Sequence, residues 1–138
     1  MTAEFSLLLS ATHDDIVKLY EELEAFAKRE GWTSKVEFDL KLVLEELFIN
    51  IVDYGDCPGT PVRIAFTSEQ DRLTIEISDS GRPFNPLVDA PEVDTSLPIE
   101  DRTIGGLGVH LVHKLMDEVN YRRDGDLNRL TLVKSRNE

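Results

Sequence analysis

The spacing of apolar residues along the chain predicts helices in its first half. A short candidate strand at residues 4–9 is followed by apolar positions that recur every three or four residues as far as Gly31, and again from about Ser34 to Tyr54. This period is typical of amphipathic helices, and glycine is a common helix end. Trp32, between the two segments, is predicted to be a packing residue.

Alternating apolar and polar residues predict strands after the turn at residues 57–59. The pattern indicates two hairpin-connected strands at residues 62–66 and 73–77. A third helix begins at about residue 105, and two final strands follow at residues 119–123 and 127–133. The order βααββ, a long loop, then αββ predicts a two-layer α/β sandwich (α+β). Its sheet is expected to be mixed but mostly antiparallel, with the helices on one face. Because no repeat or linker is present, residues 1–138 are predicted to form one domain.

The chain is strongly acidic, and this narrows the choice of partners. Its net charge is −12, from 15 basic and 27 acidic residues. Such a surface repels nucleic acid and anionic membranes, so neither is expected as a direct partner, and a basic protein is favoured. Excess acid also serves solubility alone. The single Cys57 excludes an internal disulfide and indicates a cytoplasmic location.

Two polar residues on the second predicted helix form the first candidate functional pair. Glu46 and Asn50 lie four residues apart, and so on one face of the helix, off its apolar stripe, where both can face a cleft. The Asn oxygen suits Mg²⁺, which prefers hard oxygen ligands, and the Glu carboxylate can accept a proton from an attacking hydroxyl. If Glu46 and Asn50 are considered without the other motifs, a solvent-exposed polar helix face is the simpler explanation for them.

Two glycine-containing turns are the other candidates. Asp79 and Gly81 follow a predicted strand, where a carboxylate can accept a hydrogen bond from the exocyclic amine of adenine and a glycine lets the backbone approach the ring. The run Gly-Gly-Leu-Gly at residues 105–108 opens the third helix, where bare amide groups attract phosphate. A plain turn and a flexible hinge are the structural alternatives.

In this order the three motifs resemble the nucleotide-binding boxes of the GHKL ATPase and kinase superfamily. The similarity covers nearly the whole chain and is greatest to the bacterial anti-sigma factor serine/threonine kinases of the RsbW and SpoIIAB type, on the stretch GGLGVHLVHKLMDEVNY. The resemblance implies a Bergerat ATP-binding fold that takes ATP and Mg²⁺. It also implies that the proline-rich segment 82–104, which has no period and is long for a connector, is a mobile lid.

The resemblance further implies roles for individual residues. Glu46 corresponds to the proposed general base, Asn50 to the Mg²⁺ ligand and Asp79 to the residue that binds adenine. The remaining nucleotide-binding candidates are Asp53, Gly81, Gly105, Gly106, Leu107 and Gly108.

Several positions depart from the pattern of that family. Tyr54 stands where a His is common. Asn128 and Arg129 stand where Gly-Thr is common, so the adenine contact at that place is open, and Thr131 is a candidate substitute. Arg102 is either a base that binds the γ-phosphate or a surface arginine.

The function implied by the resemblance is that of an ATP-dependent serine/threonine protein kinase and anti-sigma-type regulator. Its expected substrate is a STAS-domain anti-anti-sigma protein. A sigma factor or another response regulator is the protein that it is expected to capture, so that it would switch between the two partners. A homodimer is also expected. The alternative is a nucleotide-gated protein-binding module that sequesters a regulator without significant phosphoryl transfer.

Overall fold

The secondary-structure elements follow the predicted order in the computed structural model, which describes residues 2–88 and 106–136. A short 3-10 helix, His13–Asp15, precedes α1. The helices and strands are β1 (Ala3–Ser10), α1 (Ile16–Glu30), α2 (Ser34–Tyr54), β2 (Pro61–Ser68), β3 (Arg72–Asp79), α3 (Gly106–Leu115), β4 (Glu118–Asp124) and β5 (Leu127–Ser135).

The strands form one sheet in the order β1-β2-β3-β5-β4. Every pair of neighbours among the described strands is antiparallel. The sequence predicted a mixed, mostly antiparallel sheet, whereas the sheet is entirely antiparallel in this part of the chain. The reason is the path of the chain. It crosses through α3 to the sheet edge, where β4 lies, and then turns back, so that β5 inserts between β3 and β4.

The core lies between the sheet and the helices. In β2, β3 and β5 every second side chain is buried, so each strand presents one face to the helices. The buried row of β3 ends in a polar residue, Asp79, and that of β5 both begins and ends in one, Asn128 and Lys134. These three polar side chains therefore lie on the face that the helices cover.

Aromatic side chains fill the end of the core beside β1. The ring of Phe66 stacks on that of Phe5 with centroids 5.2 Å apart, and Trp32 lies 6.1 Å from Phe66. Trp32 is only 9% exposed, which confirms its predicted packing role.

Local backbone chemistry sets the break between the first two helices. Gly31 adopts φ 71°, the left-handed conformation that ends α1, and its N–H donates to the Ala27 carbonyl. Two residues later the side chain of Thr33 accepts a hydrogen bond from the Val36 N–H and caps α2. No helix in the described part of the chain has the length and apolar character needed to cross a membrane.

Candidate functional site

The predicted pair on α2 is in direct contact. The Asn50 side chain donates from Nδ2 to Oε1 of Glu46 over 3.3 Å. Asn50 is 1% exposed, which corrects the expectation that it lies off the buried side of the helix. Glu46 is half-buried. Because its amide hydrogen faces the carboxylate, Asn50 keeps Oδ1 available, and this oxygen accepts no hydrogen bond from the described residues.

Burial changes the acidity of Glu46. Loss of hydration raises the pKa of its carboxyl group, and the charge of Glu45 raises it further, whereas the hydrogen bond from Asn50 lowers it; the net direction is upward. A carboxylate with a raised pKa is a better proton acceptor than an ordinary one. The pair thus combines a candidate base with a free amide oxygen one helical turn away.

The carboxylate of Asp79 is held by one of its two oxygens. Asp79 is 5% exposed, and its Oδ1 accepts hydrogen bonds from the Gly81 N–H at 2.9 Å and from Nδ2 of Asn128 at 3.0 Å. Within residues 2–88 and 106–136, Oδ2 accepts none. A buried carboxylate with one fixed and one unused oxygen is suited to receive a single donor from a ligand.

The turn after Asp79 is pressed against the end of α2. A Cβ added to Gly81 would lie 2.5 Å from the Gly55 carbonyl oxygen and 3.0 Å from Sγ of Cys57, so only glycine fits. The next residue, Arg82, donates its N–H to the same Gly55 carbonyl at 3.0 Å and its Nε to the Tyr54 carbonyl at 2.8 Å. These contacts bring two of the predicted motifs together.

Asn128, which stood out in the sequence only as a departure from the family pattern, is part of the candidate site. It lies opposite Asp79 in the register of β3 and β5 and is 4% exposed. The sequence offered Thr131 as a candidate substitute for the adenine contact, but this is wrong: Thr131 is three residues along the same strand and faces the other side of the sheet. It lies there beside Glu118 and Asn120 in an open surface depression.

The two residues at the end of α2 have partners of their own. Oδ1 of Asp53 lies 2.7 Å from Nε2 of His13. The side chain of Asp53 is 38% exposed and that of His13 is 60% exposed. The Tyr54 ring lies 6.1 Å from that of Phe84. The assignment of Asp53 to nucleotide binding stays a prediction.

The glycine motif lies at the start of α3, which packs against α2. Gly106, Leu107 and Gly108 belong to the first turn of this helix, where the backbone amide groups have no partner within the helix. Gly105, Arg102 and residues 89–104 of the predicted lid lie outside the described residues. The glycine positions therefore agree with a phosphate-binding helix start, and their contact with phosphate stays a prediction.

The far end of α3 is held by a buried ion pair that the sequence did not reveal. Lys134 is 0% exposed; its Nζ donates to the carbonyl of Leu115 at 2.9 Å and lies 3.2 Å from Oδ2 of Asp39 on α2. Although burial alone would raise it, the hydrogen bonds from Lys35 and Lys134 hold the pKa of Asp39 below its usual value. The contacts of Lys134 join β5, α2 and α3.

Comparison with known proteins gives consistent matches. The family model described as histidine kinase-like ATPase domain matches residues 9–134. The serine/threonine-protein kinase BtrW of Bordetella bronchiseptica is 31% identical over 130 residues, which are 93% of this chain and 91% of that relative. The serine-protein kinase RsbW of Halalkalibacterium halodurans is 30% identical over 128 residues, 89% of this chain and 76% of the relative.

A solved structure supports the same fold. The RsbU and RsbW domains of a Mycobacterium tuberculosis protein superimpose with a TM-score of 0.67 at 14% sequence identity. The match covers 96% of this chain and 32% of that one. At this identity the likeness is evidence for the two-layer fold alone, and it confirms the fold class predicted from the order of the elements.

Proposed function

The chain belongs to the family of histidine kinase-like ATPase domains, and from that premise we propose that it is an Mg²⁺-dependent, ATP-using serine/threonine protein kinase of the anti-sigma type. The kinase class is the one named for both relatives described above. Its proposed substrate is a Ser or Thr hydroxyl on a STAS-domain partner, and its proposed target for capture is a sigma factor or another regulator.

The docking of the Asp79 turn on α2 is the observation that carries this proposal. Since Gly81 touches the Gly55 carbonyl, the carboxylate of Asp79 is tied to the end of the helix that bears Glu46 and Asn50. A base-binding carboxylate, an amide oxygen suited to Mg²⁺ and a proton acceptor therefore belong to one connected unit. The residues present fit Mg-ATP in their chemistry.

Each of these groups has a distinct role in the proposal. Oδ2 of Asp79 would accept a hydrogen bond from the amine of adenine, Oδ1 of Asn50 would be a ligand for Mg²⁺, and the backbone N–H groups of Gly106 and Gly108 would donate to phosphate oxygens. Glu46 would accept the proton of the attacking hydroxyl as that oxygen bonds to the γ-phosphorus, while the bond from this phosphorus to the ADP oxygen breaks and ADP leaves. When bound, Mg-ATP supplies the phosphoryl group and the positive charge that offsets its oxygens.

The net charge supports a protein partner. A surface with charge −12 favours association with a basic protein face and disfavours nucleic acid. The relatives that match along most of this chain are named protein kinases, and in our proposal this chain itself recognises the partner. The proposal places the protein in the cytoplasm.

Transfer of labelled phosphate from ATP to a STAS-domain protein is the decisive test. The wild-type protein should label the partner, and Glu46→Gln, which keeps the size of the side chain and removes the base, should lower the rate at least about 100-fold. Glu45→Gln, the same change at the neighbouring position, is the matched control and should retain most of the activity.

The same experiment separates the alternative of a binding module without transfer. If ATP promotes capture of the partner while neither protein becomes labelled, the kinase proposal is wrong and the gated module is supported. If Glu46→Gln keeps the wild-type rate, Glu46 is not the base.

A further inference from the structure

Among the described residues of the candidate site, Asn128 has the side chain with the most polar contacts. From Nδ2 it donates to Oδ1 of Asp79 at 3.0 Å and to the Arg82 carbonyl at 2.8 Å. At Oδ1 it accepts from the Phe84 N–H at 3.2 Å and from the Tyr121 hydroxyl at 2.5 Å. The amide thus binds the end of β3, the turn that follows it and the neighbouring β4.

These contacts use the whole hydrogen-bonding capacity of the side chain. An amide offers two donors and two acceptor sites, and Asn128 spends both donors on protein oxygens. Its Oδ1 also receives Nη1 of Arg123 at 3.3 Å, and the same Nη1 donates to the Gly81 carbonyl at 2.8 Å. Asn128 therefore has no donor left for a ligand and acts through the residues it holds.

Asp79 is the residue on which this arrangement acts. Its Oδ1 faces two groups that can only donate, the side-chain NH2 of Asn128 and the backbone N–H of Gly81. The two hydrogen bonds fix the plane of the carboxylate. They leave Oδ2 available to a ligand, since this oxygen has no partner among the described residues. An oxygen fixed in this way can accept a hydrogen bond from an amine and offers nothing to a ring carbonyl.

We propose that Asn128 is a positioning residue that gives the site its selectivity for a purine with a 6-amino group, by holding Asp79 as an oriented acceptor. The inference rests on the proposed binding of ATP at Asp79. The sequence left the adenine contact at this place open, and the role proposed for Asn128 involves no contact with the nucleotide.

Selectivity is measured as a ratio of two dissociation constants on the full chain. Isothermal titration in Mg²⁺ compares ATP with purine riboside 5′-triphosphate, which lacks only the 6-amino group. For the wild type, the hydrogen bond to a charged acceptor should favour ATP at least about tenfold.

Asn128→Asp is the most informative variant because it is isosteric. It keeps the acceptor for the Phe84 N–H and Tyr121, but replaces the donors to Asp79 and the Arg82 carbonyl with an oxygen. The preference for ATP should fall to about twofold or less. Asn120→Asp adds the same charge to an exposed position on the other sheet face and should keep the wild-type ratio.

The outcomes distinguish this inference from the proposed function. A wild-type protein that binds neither nucleotide overturns both. A wild-type preference that Asn128→Asp retains, or equal weakening of both nucleotides, overturns the positioning role and leaves ATP binding intact. If Asn128→Asp does not fold, as judged by circular dichroism, Asn128→Ala removes the same donors without a charge and must show the same loss of preference.

Discussion

The buried ammonium group of Lys134 allows the attachment of α3 to be tested by one substitution. Its Nζ lies 3.2 Å from Oδ2 of Asp39 and donates to the Leu115 carbonyl at 2.9 Å, and the side chain is 0% exposed. Replacing Lys134 by Met keeps most of the volume of the side chain and removes the charge and its donors. The carboxylate of Asp39, only 6% exposed, then loses its buried partner.

The expected loss of stability follows from these contacts. Removing one member of a buried ion pair costs roughly 3–5 kcal/mol because a buried charge is left uncompensated. Asp39 keeps Lys35, whose Nζ lies 2.7 Å away on the surface, so the lower end of this range applies. We therefore expect Lys134→Met to lower the free energy of unfolding by about 3 kcal/mol.

Urea unfolding followed by the fluorescence of Trp32 measures this change, with the m-value expected to stay constant. Lys35→Met is the matched control, since it removes the other cation from the same carboxylate; its side chain is 59% exposed, and the loss should be below about 1 kcal/mol. Replacing Asp39 by Leu together with Lys134→Met should cost less than the two single changes added. Equal losses for the two lysine variants would refute the assignment of a buried pair.

Acid should weaken the same pair, and three further changes test the site. Because the pKa of Asp39 is lowered in the folded protein, the pair stabilises at neutral pH. This contribution starts to fall below about pH 4 and is lost once the pH is below the lowered pKa of Asp39, where wild type and Lys134→Met should converge in urea midpoints. Gly81→Ala should cost about 1–3 kcal/mol in the same assay and weaken ATP binding in titrations, since its Cβ would overlap the Gly55 carbonyl. The pH–rate profile of phosphoryl transfer should fall on its acid side at a higher pH than an ordinary Glu gives, because burial raises the pKa of Glu46; a fall at the ordinary pH would contradict this. Asn50→Ala should weaken ATP binding in Mg²⁺ roughly tenfold or more in titrations and leave binding in EDTA nearly unchanged.

The regular spacing of apolar residues predicted the helices and strands well, because this spacing depends only on which face of each element is buried. They failed at Asn50, which was expected on an accessible face of α2. This helix lies between the sheet, α1 and α3, so more than its apolar stripe is covered. A helix wheel identifies the most apolar side and does not state how many neighbours the helix has.

The pairing of strands that are distant in the sequence was the second feature that could not be predicted from the sequence. Asp79 and Asn128 lie 49 positions apart, and their contact depends on the insertion of β5 between β3 and β4. Thr131 shows how sensitive such an inference is, since an odd number of residues along a strand changes the face of the sheet. The buried Lys134 was missed for another reason: lysine is among the residues least often buried, and its partner lies on a different element.

Links between the ends of elements, more than the core, hold the candidate site together. The turn after Asp79 is bound to the end of α2 by the Arg82 N–H, which donates to the Gly55 carbonyl. Asp79 is bound to β5 through Asn128, and the end of α3 is bound to β5 through Lys134. Each link is polar or depends on one close approach, whereas the core behind them is apolar. Substitutions at the two links that involve Asp79 and the turn after it should therefore change nucleotide affinity or selectivity in protein that remains folded. A large-to-small change in the core should lower stability first and affect nucleotide binding only through unfolding.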